Sequence, residues 1–301
     1  MGTIWQDLSK ELTQAVNAAG KWIVAVDGRS GHTSSGIIWR SDTVITASHS
    51  VRQDMGVRVL LETGRPVSAR LIGRDRGSDI AVLKLDQELG SPAEFGNTTS
   101  LAVGDLTIAV ARTRRGNVVA SAGIISGMMG EWQVYRTRID QFIRPDLTLY
   151  PGFSGGALIG PDGKVLGLNT SGLMRGKSIT IPASTLTRIA TEIASKGHVT
   201  RPYIGLMMQP VQIPESLQKA AGVDTAIGLL VMHVEPGGPA DSAGVLLGDI
   251  LLKIDSIAFG SLDDVHELLD RKGTGQEVQA TLIRGGQKTQ ATIKIGSRPL
   301  G

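Results

Sequence analysis

Gly152-Phe153-Ser154-Gly155-Gly156-Ala157-Leu158-Ile159-Gly160-Pro161-Asp162-Gly163-Lys164-Val165-Leu166-Gly167-Leu168 is the stretch that decides the fold. A serine set between glycines, directly ahead of an apolar run, is how a backbone turn presents a hydroxyl nucleophile. Gly152-x-Ser154-x-Gly156 also satisfies the nucleophile-elbow pattern, but that fold puts a helix directly after the serine. Here Ala157 to Gly160 runs into Pro161-Asp162-Gly163-Lys164 and then Val165 to Leu168. That is a β-hairpin, with no room for a helix.

Outward from the hairpin the same texture continues. From Lys21 to about Ile181, short β-rich runs alternate with turn residues. Trp22 to Val26 ends at Asp27-Gly28, and Val57 to Leu61 ends at Thr63-Gly64. Gly36 to Trp39 and Val44 to Thr46 flank Ser41-Asp42. Ile80 to Leu85 reads as a buried strand, and Thr107 to Ala111, Val118 to Ile125 and Trp132 to Ile139 extend the series. Many short strands with glycine-containing turns predict an all-β barrel or sandwich, and two six-stranded barrels fit the length. Pro182 to Ser195 then reads as a helix with Leu186, Ile189, Ala190 and Ile193 on one face, closed by Gly197. A short helix is predicted near the N-terminus, over about 5–18.

The pattern changes at Thr200-Arg201-Pro202. We therefore expect one domain over 1–198 and a second over 199–301. The second reads as α+β: strands around a short helix at Glu215 to Ala220, a run at Gly228 to Val234, and a Pro236-Gly237-Gly238-Pro239 turn. A strand at Asp249 to Ile254, a helix at Leu262 to Leu269 and two closing strands around Arg284-Gly285-Gly286 follow. About a hundred residues is a common single-domain size.

Composition fits this reading and narrows the chemistry. The 301 residues include 39 glycines and few aromatics. With 31 basic and 28 acidic residues, the net charge of +3 implies no nucleic-acid partner. There is no cysteine, hence no disulfide framework, thiol nucleophile or thiolate metal site. The histidines are scattered and no His-Glu-x-x-His pattern occurs, so neither metal nor cofactor is expected. No apolar run is long enough to cross a bilayer. The start, Met1-Gly2-Thr3-Ile4-Trp5, lacks the basic and apolar regions of a signal peptide. That predicts a cytoplasmic protein, or a periplasmic one if a native leader was removed.

A serine nucleophile requires a base. Of the five histidines, His49 sits in Ile45-Thr46-Ala47-Ser48-His49-Ser50-Val51, where an apolar strand turns into a polar loop at a barrel's open end. His32 lies in a Gly/Ser loop, His198 at a helix end, and His233 and His266 in the second module. A carboxylate should hold the imidazole and stabilise its cation. Asp79 stands directly before the Ile80 strand, where a charge is costly unless partnered. Asp75 and Asp86 are its rivals. The order histidine, aspartate, serine again argues against the elbow fold, whose triad runs serine, acid, histidine.

Thr46-Ala47-Ser48-His49, Ser78-Asp79-Ile80-Ala81-Val82-Leu83 and Pro151-Gly152-Phe153-Ser154-Gly155-Gly156-Ala157-Leu158 resemble the active-site motifs of chymotrypsin-fold serine proteases, most closely the HtrA (Deg) branch. The tail is similar to that branch's PDZ domain in Tyr203-Ile204-Gly205-Leu206, Val234 to Ala240, Ala243-Gly244-Val245, Gly248 to Leu251 and Leu262 to Val265. The resemblance implies a mainly β protein, with a chymotrypsin-like double β-barrel followed by an α+β PDZ domain. It implies a triad of His49, Asp79 and Ser154 and an oxyanion hole from the Gly152 and Ser154 N–H groups. Thr148, Leu149 and Tyr150 would line the substrate pocket, which without a facing carboxylate predicts cleavage after small or medium aliphatic residues. Tyr203, Ile204, Gly205 and Leu206 would hold the carboxylate of a C-terminal peptide. Unfolded or misfolded proteins are the implied substrates and a homotrimer the implied assembly, with Trp5 and its neighbours as contacts. The family usually carries Asn or Asp where Phe153 stands, which puts the resting oxyanion loop in question. Ser48 and Ser50 also depart from the pattern, and the loop near Gly31 is short. The alternative is an inactive scaffold acting as a chaperone or peptide sensor.

Overall fold

The computed structural model describes residues 3–29, 32–52, 56–134, 137–174 and 177–299; the loop at Gly31 lies outside them. The chain divides between Val199 and Thr200 into two compact units.

The first unit is two closed barrels. Ile23–Arg29 (β1), His32–Arg40 (β2), Thr43–Ala47 (β3), Val57–Leu60 (β4), Pro66–Asp75 (β5) and Ile80–Leu85 (β6) close in the order β1-β2-β3-β6-β5-β4. Val44 of β3 and Ala81, Leu83 and Leu85 of β6 fill the barrel interior. Their neighbours Ile45, Ile80 and Val82 face outward into a second core. Alternate side chains thus serve two cores, which is why β3 and β6 read as continuous apolar runs.

Leu106–Arg112 (β7), Val118–Met129 (β8), Trp132–Val134 (β9), Thr137–Ile139 (β10), Phe142–Asp146 (β11), Ala157–Ile159 (β12), Val165–Thr170 (β13) and Ile179–Pro182 (β14) follow. Barrel two closes as β11-β14-β13-β12-β7-β8, and β9 pairs with β10 alone. The run read as one strand from Trp132 to Ile139 is therefore two strands of a small hairpin. Strand β12 pairs antiparallel with β13, so the hairpin after Ser154 is real and no helix follows the serine.

Ile4–Gly20 (α1) starts at a capping box between Thr3 and Gln6. Ala183–Lys196 (α2) ends at Gly197 in the left-handed conformation, φ 80°. Leu186, Ile189, Ala190 and Ile193 of α2 pack into the outward-facing core. Buried Arg112 joins the parts: its guanidinium donates to the carbonyls of Gly20, Ile23 and Gly116, each at 2.5 Å. Burial pushes that guanidinium's pKa down.

The second unit contains Thr200–Tyr203 (β15), Leu206–Gln212 (β16), Glu215–Ala221 (α3), Ile227–Val234 (β17), Pro239–Ser242 (α4), Ile250–Ile254 (β18), Ile257–Ala258 (β19), Leu262–Lys272 (α5), Glu277–Arg284 (β20), Gln287–Lys294 (β21) and Gly296–Pro299 (β22). The sheet runs β16-β17-β18-β20-β21, with β19 beside β18, and β15 pairs with β22. Buried Asp249 receives Arg284 through two hydrogen bonds of 2.8 and 2.7 Å, and Arg284 also donates to the Gly244 carbonyl.

Candidate active site

Strand β3 ends at Ala47, and Ser48–Ser50 forms one turn of 3-10 helix that carries His49 to the barrel rim. Asp79 precedes β6 in a left-handed backbone conformation, φ 58°, which aspartate tolerates better than most residues. That turn aims its carboxylate back at His49. Asp79 Oδ1 accepts the His49 backbone N–H at 2.8 Å, and Oδ2 lies 2.7 Å from His49 Nδ1. The carboxylate is 6% exposed and the imidazole 39%, so the acid is buried while the base faces solvent. Thr170, at the end of β13, donates its hydroxyl to Asp79 Oδ2 and accepts the Gly172 N–H at 2.8 Å. Three donors thus fix the carboxylate, leaving no freedom to turn from the imidazole.

The rivals go elsewhere. Buried Asp75 accepts the Ser78 N–H and the Thr137 hydroxyl, organising the turn ahead of Asp79. Asp86 is exposed beyond the end of β6.

Ser154 lies on the turn before β12. Its carbonyl accepts the Ser35 N–H at 2.9 Å, and the Gly152 carbonyl accepts the Ser35 hydroxyl at 2.8 Å. Two bonds from β2 therefore seat the serine turn of barrel two against barrel one. Gly155, at φ 86°, passes so close to β2 that a Cβ there would lie 2.0 Å from the Ser35 carbonyl oxygen. With the Gly152 carbonyl tied back, the Gly152 and Ser154 N–H groups donate to nothing among the described residues. Phe153 is 2% exposed and packs with Ala109 and Ala111. An apolar plug thus anchors the loop where the family pattern has a polar residue.

Ser154 and His49 line one cleft of about 550 Å³ with Leu149, Tyr150, Gly152 and Ser171. Thr148 is exposed and is not among the cleft's lining residues. Two hydroxyls escaped sequence reading. Thr170 is fully buried, and Ser171 Oγ lies 3.2 Å from Ser154 Oγ. The signal was a polar Asn169-Thr170-Ser171 run that closes the otherwise apolar strand β13.

In the second unit, β16 is the outermost strand of its sheet, pairing only with β17 among the described residues. Gly205, φ 77°, turns the chain between β15 and β16. The Ile204 and Gly205 carbonyls are taken by the Ala240 and Glu235 N–H groups. Leu206 and Met208 of β16 share a core with Val265, Leu268 and Leu269 of α5. Tyr203 lies at the end of β15, opposite Gly296 of β22.

Residues 34–168 match the trypsin-like peptidase domain and residues 202–295 the PDZ domain. The chain is 31% identical over 284 residues to a probable periplasmic serine endoprotease, DegP-like, of Halomonas elongata, covering 90% of this chain and 59% of that protein. It is 30% identical over 285 residues to the putative serine protease HhoB of Synechocystis sp., covering 91% of this chain and 68% of the relative. The chain thus spans roughly three-fifths of the length of the curated relatives it matches. Among solved structures, it superposes on the HtrA-type protease AlgW with decapeptide at a TM-score of 0.72 and 25% identity, over 96% of this chain and 99% of the other.

Proposed function

The chain belongs to the HtrA family of serine endoproteases, and on that premise we propose that it is an endopeptidase of unfolded or misfolded protein, working through Ser154, His49 and Asp79. The observation that carries this is the 2.7 Å contact of Asp79 Oδ2 with His49 Nδ1, beside a cleft that His49 shares with Ser154. Asp79 holds the Nδ1–H tautomer, leaving Nε2 to take the Ser154 proton as Oγ attacks the scissile carbonyl. The oxyanion faces the Gly152 and Ser154 N–H groups, each such donor being worth about 3–4 kcal/mol in comparable enzymes. Collapse expels the amine, which receives the proton from His49. Water then repeats the sequence on the acyl-enzyme.

Leu149 and Tyr150 line the cleft and no carboxylate does among the described residues, which favours cleavage after Val, Ala or Leu. The open edge of β16 accepts a C-terminal peptide as an added strand, with Tyr203 to Leu206 at its carboxylate. A homotrimer is the assembly we assign. The cytoplasmic expectation finds no support in the names of the relatives described above, whereas the periplasmic alternative is compatible with the name of the Halomonas protein.

One observation favours a latent resting state: the Ser154 hydroxyl is within hydrogen-bond range of Ser171 Oγ. A fluorophosphonate probe separates the readings. We expect labelling at Ser154, stimulated by a C-terminal peptide if the enzyme rests latent, and none in Ser154→Ala. Absence of labelling with and without peptide would leave the scaffold reading standing.

A further inference from the structure

Ser35, on β2, is fully buried, and each of its polar atoms has a partner. Its N–H donates to the Ser154 carbonyl at 2.9 Å and its hydroxyl to the Gly152 carbonyl at 2.8 Å. Its own carbonyl accepts the Thr46 hydroxyl of β3 at 2.6 Å. The hydroxyl oxygen also accepts the Arg112 backbone N–H at 3.0 Å. That last bond decides where the hydroxyl points. A hydroxyl has one proton, and with the Arg112 N–H on one side of the oxygen that proton is left for the Gly152 carbonyl. Arg112 is in turn held in place by its guanidinium, which is bonded to the carbonyls of Gly20, Ile23 and Gly116.

The hydroxyl meets the serine loop at a sensitive point. The two N–H groups assigned to the oxyanion belong to the Pro151–Gly152 and Phe153–Ser154 peptides. A single peptide, Gly152–Phe153, lies between them. Its N–H donates to the Tyr150 carbonyl at 3.0 Å, and its carbonyl is the one that Ser35 holds. Next along the chain, the Phe153 carbonyl accepts the Gly156 N–H at 2.9 Å, and in a planar trans peptide this sends the Ser154 N–H the opposite way. Gly152 has a φ of 98° and the backbone freedom of glycine, so a carbonyl released there is free to turn. The Ser35 hydroxyl is one of only two bonds that hold the middle peptide among the described residues.

We infer that Ser35 is a positioning residue for the reaction: its hydroxyl fixes the plane of the Gly152–Phe153 peptide and, through it, the aim of the two N–H groups that meet the oxyanion. The inference rests on the endopeptidase reading above. Ser35 is not part of the cleft lining and acts only through the loop. Barrel one thus supplies the general base and also sets the electrostatics of a hole built on barrel two.

The test compares the full chain with Ser35→Ala, using a peptide substrate and a peptide aldehyde of matching sequence. Ser154 Oγ bonds to the aldehyde carbon and the hydroxyl proton leaves to His49, so the adduct presents an oxygen anion to the same two N–H groups. In Ser35→Ala, kcat should fall about 30-fold, less than the roughly 100-fold or more that deleting an oxyanion donor costs, because both donors remain and only their aim is lost. KM should stay within about twofold, the pattern of an interaction made only in the transition state. The aldehyde's dissociation constant should rise by the factor by which kcat/KM falls. A loss of packing alone would lower the melting temperature and leave both ratios as they were. Ser35→Cys keeps the volume and offers a weaker donor, so it should lie between parent and alanine variant, and it carries the test where Ser35→Ala does not fold. Parent-like kcat in the folded variant, or a fall in kcat with aldehyde affinity intact, would overturn the role of Ser35. A parent chain that neither cleaves the peptide nor binds the aldehyde brings down the endopeptidase reading and the positioning role with it. A parent that does both, matched by its variants, sinks the positioning role alone.

Discussion

At the residue scale, the active site depends on groups that make no chemistry themselves. Asp79 is held by the backbone of His49 and the hydroxyl of Thr170, and Gly172 is held by that same hydroxyl. Gly172 is exposed, so replacing it leaves the cores untouched. Yet a methyl group at that position would collide with both members of the histidine–aspartate pair. We expect Gly172→Ala to lower kcat/KM by about 100-fold, the cost of displacing a catalytic group by around 1 Å. The melting temperature should stay near that of the parent. Kinetics of a chromogenic ester together with a thermal melt decide this, and unimpaired turnover would mean that the strand yields instead of the pair. The triad candidates were legible as candidates because each stands at a junction of an apolar strand and a polar turn, where the backbone holds a side chain firmly. Thr170 was not legible, because a buried threonine at a strand end has the same appearance whether it bonds a carboxylate or a neighbouring carbonyl.

At the element scale, the strands apolar on both faces were the plainest to read. Strands β3 and β6 are apolar on both faces because two cores meet there, so they stand out in the sequence. Strand β5 alternates, with Val67, Ala69 and half-buried Leu71 turned into the barrel and Ser68 and Arg70 between them, and it escaped detection. Strand β11 carries Pro145, which argues against a strand from sequence alone. Helix α5 runs one turn past Leu269, to Lys272, because Gly273 and not Leu269 stops it. Its start depends on Ser261 and Asp264. The bonds that Asp264 accepts, first from the Gly260 N–H and then from Ser261, hold its carboxyl below the usual range. A carboxyl depressed in the folded state stabilises fully above its unfolded value, about 3.9, and loses that contribution as pH falls through the folded value. The protection of the α5 amides, read by mass spectrometry against the intrinsic exchange rate at each pH, should therefore fall below about pH 4. Asp264→Ala should bring the fast behaviour to neutral pH, with a loss of about 1 kcal/mol of local stability. If exchange is as slow in the variant as in the parent, the cap is not what starts the helix. Alongside α5, the unpaired edge of β16 should bind a peptide ending in an apolar residue, read by anisotropy. Amidating that peptide's terminus should abolish binding; equal affinity for acid and amide would place recognition away from Tyr203 to Leu206.

At the scale of the whole molecule, Ile4 and Trp5 are 84% and 78% exposed at the start of α1, an apolar pair that this chain alone leaves in water. A threefold assembly would cover it. We expect sedimentation of the full chain as a trimer and of Ile4→Ser/Trp5→Ser as a smaller species. A variant that still sediments as a trimer would put the interface on another surface. Within the first unit, His49 and Asp79 belong to one barrel and Ser154 and Thr170 to the other, and the bonds from Ser35 and Thr170 bridge the two. Warming should therefore silence hydrolysis before the sheets melt, since a slight parting of the halves separates acid from hydroxyl while leaving each barrel's own ladder closed. On the proposed reading such a chain would be its own thermometer: turnover lost under an intact far-ultraviolet spectrum would report the parting, and cooling should bring the halves back into register.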